Sequence, residues 1–388
     1  MSRISSVIGG ARTRLRWRKE SAEAKEERFY RAGQWQLVWW RFRRHKLAQA
    51  AAVVLAIFYL IAAFAEFVSP HDPLYRYKQF AACPPTGIYI RDLNGRFRSP
   101  FVYQVVRTRD PETMRPIYKA NAEVTAPIKL FVHGSRYRLW GLFDCDLHLF
   151  GTEDPETAPL FLLGTDSVGR DVLSHIFFGG RISLTVGLIG VAISFVLGLI
   201  LGGISGYFGG ALDEVIQRII DVLISLPTIP LWMSLAAALP QNWPQLRVYF
   251  ATTIILSILG WTGLARVVRG KLLSMREEDF VLAARLDGES EWRIITAYML
   301  PGFASYIIVS LTGSLPGMIL GETALSFLGI GLRPPTISWG VMLQDAQDIM
   351  AVAQLPWVLS PVVFVVIAVL MFNFLGDGLR DAADPYAM

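Results

Sequence analysis

The chain has 388 residues, 53% of them hydrophobic and 18% charged, with a formal net charge of +5. A soluble domain carries nearer a quarter of charged residues, so this composition excludes an ordinary soluble globular protein. Several apolar runs approach the roughly 20 residues that cross a hydrocarbon core about 30 Å thick, and the basic excess collects ahead of the first of them, where membrane orientation explains it without a nucleic-acid partner.

Residues 1–46 read as a basic tail on the cytoplasmic side. Arg12, Arg14, Arg16, Arg18 and Lys19 are followed by Arg41, Arg43, Arg44 and Lys46, with Trp39 and Trp40 interleaved as rings suited to a headgroup interface. The start lacks the apolar core and small-residue cleavage site of a secretory signal, so no cleavable leader is expected. The first span is placed at residues 47–68.

Residues 69–174 differ in composition. They are polar, contain proline, and hold short alternating runs such as Gly87–Ile90 and Phe101–Val106. Asn94-Gly95 between two such runs is a two-residue hairpin signal. Aromatic and β-branched content argues for a small β-rich extracytoplasmic insert over a disordered loop. Cys83 and Cys145 both fall inside it. An oxidising compartment makes a disulfide between them one reading, worth about 4 kcal/mol on the chain-entropy model; two buried, unpaired thiols are the other.

Residues 175–376 read as a core of five further spans, at about 182–203, 219–239, 248–268, 304–325 and 358–374, before a cytoplasmic tail at 377–388. Six spans put both termini inside and the insert outside. Between the fourth and fifth spans, residues 270–302 form a polar cytoplasmic loop. Glu277, Glu278 and Asp279 suit the exposed N–H groups of a helix start. Ala283 and Ala284 keep one face of that helix thin, Gly288 can take the left-handed conformation that ends it, and Glu289 begins a second helix that Leu300-Pro301 stops. That is the shape of a docking element; an amphipathic loop lying on the membrane is the plainer alternative.

Several motifs then fall in fixed order: Leu163–Asp171 (LGTDSVGRD), Gly206–Gly210 (GYFGG), Ala324–Gly329 (ALSFLG), Pro334-Pro335 with Ser338–Gly340, and Gly376–Asp381 (GDGLRD). Together with the first span they resemble the C-type permease subunit of the dipeptide/oligopeptide family of bacterial ABC importers, and residues 279–302 resemble the EAA loop of such permeases. The resemblance implies an all-α polytopic membrane protein with the six-helix type I importer fold, in the bacterial cytoplasmic membrane. It also implies a second homologous permease, two ATPase subunits that bind ATP and Mg, and an extracytoplasmic binding protein. Coupling to the ATPases would fall to Leu282, Ala283, Ala284, Arg285, Asp287, Gly288, Glu289 and Pro301. Leu282 stands where the family usually has Glu, Tyr298 where His is common, and Asp287 where an apolar residue is usual. The cargo class implied is oligopeptides, with oligosaccharides, opines and nickel chelates carried by relatives.

The chain has no GxxxxGK[ST] phosphate loop, since Gly270-Lys271 is followed by Leu272, so no ATPase activity, catalytic residue or cofactor is expected in it. Asp166, Arg170 and Asp171 lack His or Cys partners at ligand spacing and read as a charge cluster fixing the entry to the second span, not as a metal site. Glu322 lies near the outer end of the fifth span, where it could meet a substrate amine or hydrogen-bond the outer gate. Asp221 is a similar acid in the third span. Pro316-Gly317 is expected to break the fifth span near mid-membrane, lining a path or making a packing kink. An ion-coupled secondary transporter is the rival from another class; it would call for ionisable side chains at mid-membrane and no polar inner docking helix, and no internal repeat of the kind that marks such transporters is visible.

Overall fold

The computed structural model describes residues 34–91, 96–109, 111–112 and 116–383. Arg12 to Lys19 of the basic tail and the Asn94-Gly95 signal lie outside them. Among the described residues, five helical stretches are long and apolar enough to cross a membrane, or six where a helix pair bent by 90° counts as one span.

Helix α1 (Gln34–Phe42) leads into α2 (Lys46–Ala63), the first span. His45 caps α2 by accepting from the Ala48 N–H at 3.2 Å. The span is shorter than the sequence suggests: it breaks at Phe64 into a four-residue helix, α3 (Ala65–Val68). The carbonyls freed at that break find donors. Arg181 Nε reaches Ala62 O at 2.9 Å, and its guanidinium forks onto Glu66 at 2.7 and 2.5 Å. A helix end needs such partners, and the cation also suits the negative end of the helix dipole.

The insert is β-rich as expected. Strands β1 (Tyr89–Arg91), β2 (Phe97–Arg109), β3 (Pro116–Leu139) and β4 (Phe143–Thr152) form an antiparallel meander in chain order. The first half of β3 pairs with β2 and the second half with β4. The Cys83–Cys145 disulfide is a misreading: both cysteines are free. Cys83 is buried in an apolar cluster with Phe80 and Phe161 at the base of the insert. Cys145 stands on β4 opposite Tyr137. Shared compartment and composition say nothing about where two backbones run, and burial alone satisfies Cys83.

The membrane body is organised by α4 (Val172–Phe208) and α7 (Gln245–Met275). Gly198, Gly202 and Gly206 recur every four residues on α4, and a Cβ on Gly202 would lie 2.6 Å from Ala265 O of α7. Small residues at this spacing let two backbones approach, which is how helices associate when no hydrophobic drive separates them from lipid. The third span is not one straight helix: α5 (Gly210–Ser225) and α6 (Thr228–Ala237) meet at 90°. Leu226 is extended ahead of Pro227, as a residue before proline prefers. Helices α10 (Ala304–Phe327) and α13 (Ser360–Ala383), the latter preceded by the short α12 (Ile349–Gln354), complete the body. Near α13 the side chains of Leu55, Phe372 and Val365 join Leu184, Ile319 and Trp339 in the main apolar core.

Candidate functional site

The loop between the fourth and fifth spans folds as a short helix, α8 (Asp279–Leu286), a glycine turn, and α9 (Glu291–Arg293). The turn is a Schellman cap. Gly288 takes φ +78, its N–H donates to Arg285 O at 3.1 Å, and the Glu289 N–H donates to Ala284 O at 3.1 Å. Orphan carbonyls at the end of α8 are thereby satisfied.

The two alanines have opposite fates. Ala284 and Val281 are buried against Leu272 and Val268 of α7 and against Ile294, Ile295 and Met299. Ala283 faces out, beside Leu282 and Leu286, and Leu286 is 88% exposed. Phe280, Trp292 and Tyr298 are also exposed. The helix therefore glues one face to its own chain and leaves the other, apolar and uncovered, at the membrane end shared with α1 and the end of α13. Arg285 fixes the roll of α8: its guanidinium lies 5.1 Å above the Tyr207 ring, and its Nε donates to the Tyr207 hydroxyl at 3.2 Å. Tyr207 belongs to the GYFGG motif, whose Gly209 and Gly210 both have positive φ and make the turn into α5. Asp287 is exposed as the C-cap of α8, and Glu289, half-buried, ion-pairs with Arg293 at 3.3 Å.

Leu300-Pro301 does not stop the second helix. Residues Ile294–Met299 widen into a π-helix, Leu300–Phe303 tighten into a 3₁₀ turn, and α10 follows directly. Proline in an α-helix would drive its ring into a carbonyl one turn back. Here the Leu300 N–H reaches Ile295 O, five residues back, and the changed winding accommodates the ring.

Pro316-Gly317 does not break the fifth span either; α10 runs through it with Pro316 buried. Glu322, near the far end of α10, is fully buried. Ser183 Oγ of α4 donates to it at 3.0 Å and Ser326 Oγ at 2.9 Å, and the Ser338 hydroxyl is a third partner. Ser338 caps α11 (Trp339–Asp345) by accepting from the Val341 N–H, the Trp339 N–H donates to Ser183, and the Leu332 N–H donates to Ser326. One carboxylate thus joins α4, α10 and the outer segment through serine hydroxyls. Its direct partners are side-chain hydroxyls and not backbone groups, and they enclose the carboxyl group completely.

Asp221 is half-exposed and ion-paired with Arg266 at 2.5 Å. The better-enclosed pair is Asp213 with Arg269, bridged at 2.5 and 2.6 Å, which sequence reading missed. The LGTDSVGRD segment is a structural staple. Asp166 accepts from the Val168 and Arg170 N–H groups at 3.0 and 2.8 Å, and Arg170 reaches Asp345 at 3.0 Å. Asp171 caps α4 through the Ser174 N–H at 3.0 Å. Asp345, at the end of α11, is pushed above the usual carboxylate range by burial, with Arg170 pulling the other way.

Residues 194–387 match the family described as "Binding-protein-dependent transport system inner membrane component", and residues 33–85 match the "N-terminal TM domain of oligopeptide transport permease C". The chain is 41% identical over 223 residues to the oligopeptide transport system permease protein OppC of Haemophilus influenzae, covering 57% of this chain and 69% of that one. It is 39% identical over 231 residues to the dipeptide transport system permease protein DppC of Bacillus subtilis, covering 57% and 68%. Similarity to DppC of Lactococcus lactis subsp. cremoris, 31% identical, extends over 354 residues and 90% of both chains.

Proposed function

The chain belongs to the family of inner membrane components of binding-protein-dependent transport systems, and from that premise we propose that it is a permease subunit of an ATP-binding-cassette importer for oligopeptides. The observation that carries this reading is the α8 segment: a capped helix glued to the chain by Val281 and Ala284, with Leu282 and Leu286 displayed to a partner. ATP and Mg would be bound by two separate ATPase subunits that receive this face. The basic residues Arg41, Arg43, Arg44, Arg266, Arg269 and Lys271 gather at the same end of the molecule, which favours that end as cytoplasmic. The β-rich insert then lies outside, with the binding protein that delivers cargo. A stripe on α5, Leu212, Val215, Ile219 and Val222, is left uncovered by the chain and offers a surface to the homologous permease that completes the path.

Transport would proceed by alternating access. ATP drives it only if it binds the assembly more tightly in the outward-open state, because a ligand shifts an equilibrium through differential affinity alone. Oligopeptides are favoured as cargo by the dipeptide and oligopeptide names of the relatives. The test is co-purification of the tagged chain from gently solubilised membranes, followed by ATP hydrolysis in vesicles. A second permease and ATPase subunits in the complex, with hydrolysis stimulated by peptide-loaded binding protein, are expected. A chain that purifies alone after crosslinking and transports without ATP would overturn the proposal.

A further inference from the structure

We propose that the β3–β4 turn, Leu139-Trp140-Gly141-Leu142 with Phe143, is a membrane anchor that inserts into the headgroup region of the phospholipid bilayer beside the first span. Its position comes first. Trp140 Nε1 donates at 2.7 Å to the carbonyl of Ala63, the last residue of α2, and the Trp140 ring packs 5.2 Å from Phe64. On the same hairpin Phe131 packs 6.3 Å from Phe67. The tip of the insert therefore sits at the depth where the first span leaves the membrane, not out in solvent above it.

The surface it meets there is continuous with the lipid-facing side of the span. Val53, Ile57 and Leu60 are exposed at helical spacing on α2, opposite the buried Ala51, Leu55 and Ala62, and Phe64 is next in that stripe. Trp140 covers Phe64, and beyond it Leu142 is 76% and Phe143 58% exposed. A stripe that faces acyl chains thus runs on into an exposed apolar hairpin tip.

The turn chemistry points the same way. Trp140 and Gly141 have φ +53 and +74, the Leu142 N–H donates to Leu139 O at 3.0 Å, and Leu139 pairs with Phe143, so a three-residue loop, 140–142, joins the strands with two successive left-handed residues. Gly, Asn and Asp are the residues that reach left-handed backbone readily, and bulky residues are strained there. Here the first position holds Trp and the flanks hold Leu and Phe. Phe131, the other ring set against the end of the span, is likewise left-handed at φ +58. The backbone is held in a disfavoured conformation at both aromatic residues that touch the span. Tryptophan suits the site: its ring is apolar, its N–H is satisfied by Ala63, and such rings concentrate at membrane interfaces.

The inference rests on α2 as a span, so the experiment reads that separately. Nitroxide labels are placed at Leu142→Cys, Leu60→Cys and Thr108→Cys in the full chain, with Cys83→Ala and Cys145→Ser removing the native thiols. Each variant is reconstituted in nanodiscs of phosphatidylcholine and phosphatidylglycerol, and collision rates with oxygen and with a water-soluble nickel chelate are compared by power saturation. Oxygen should exceed nickel accessibility severalfold at Leu142 and Leu60, with the reverse at Thr108. Nickel-dominated collisions at Leu142 beside an oxygen-dominated Leu60 would overturn the anchor and leave the span intact. A label at Leu142 shielded from both reagents would mean that a protein partner covers the tip, and overturns it equally. An aqueous Leu60 would overturn both. Phe143→Cys carries the same measurement where Leu142→Cys does not fold.

Discussion

Leu286→Ala is the sharpest probe of the proposed docking face. Among the described residues no large apolar side chain is more exposed than Leu286, at 88%, so the chain's own folding owes it almost nothing. Exposed substitutions of this kind change stability by about 0.5 kcal/mol or less. Docking is a different matter. Leucine to alanine removes three carbons, each worth about 0.8 kcal/mol when buried. Burial of most of that side chain in an ATPase groove therefore makes the variant's complex weaker by about 2 kcal/mol, roughly 30-fold in Kd. Titrating the detergent-solubilised permease pair with purified ATPase subunits measures that ratio, and a thermal melt of the chain checks that its fold is unchanged. Val281→Ala is the counterpart: Val281 is fully buried, so that variant should melt lower by an amount set by its cavity, while leaving the exposed face chemically intact. Equal Kd for wild type and Leu286→Ala would refute the assignment of this face as the docking surface.

Gly288→Ala should cost the Schellman turn about 1 kcal/mol through its φ of +78 and no more, because a Cβ there meets nothing within 4 Å; a melt or coupling assay showing a much larger loss would point to a partner pressing on that position. Gly202→Ala places a Cβ 2.6 Å from Ala265 O and should destabilise the α4–α7 pair by about 1–3 kcal/mol, whereas Gly203→Ala meets nothing within 4 Å and should be neutral or mildly stabilising; similar melts for the two would rule out close packing as the reason for the glycine stripe. Glu322→Leu leaves three buried serine hydroxyls without their acceptor and should lower thermal stability by about 1–3 kcal/mol for each that stays unpaired, with Glu322→Gln milder; an unaffected melt of the Leu variant would show the cage to be dispensable. Burial pushes the Cys83 thiol up to about 12, so at pH 8 only about one molecule in 10⁴ carries the reactive thiolate; iodoacetamide should modify Cys145 in the folded chain and Cys83 only after denaturation, and absence of both thiols without reductant would restore the disulfide reading.

The spans, the β character of the insert and the Gly288 turn were legible because each rests on a local signal. Apolar runs mark helices for the membrane, and Gly288 marks a turn that needs positive φ. What the sequence hid was relational. Ala283 and Ala284 are adjacent and alike, yet one packs inward and one outward, because successive helical residues point about 100° apart and only the α7 contact decides which is buried. Pro301 looked like a stop and Pro316 like a break or kink, but a π-turn winds around one and the bundle carries the other, and neither compensation is written beside the proline. Ser183, Ser326 and Ser338 read as ordinary polar residues until three separate segments bring them onto one carboxylate. Two of them did lie inside quoted motifs, ALSFLG and SWG, and that was the available hint. The cysteines failed for the same reason in reverse: common membership of a domain carried no information about distance.

The arrangement also bears on where the proposed cycle opens. From Glu291 to Phe327 the chain stays helical, so displacement of α8 passes into α10 with the π and 3₁₀ windings at 294–303 as the one place where the winding changes. At the other end of α10, Glu322 is bound across to Ser183 of α4 and to the Ser338 cap of α11, and a Cβ on Gly187 of α4 would lie 3.0 Å from Ile319. Separating α4 from α10 would break a hydrogen bond to a buried carboxylate, at about 1.5–3 kcal/mol, and strip the packing beside it. Moving α4, α10 and α11 together breaks neither. Within this chain the proposed cycle therefore runs at lower cost when α4, α10 and α11 move as one unit than when they separate, and the differential affinity required of ATP is smaller by that difference.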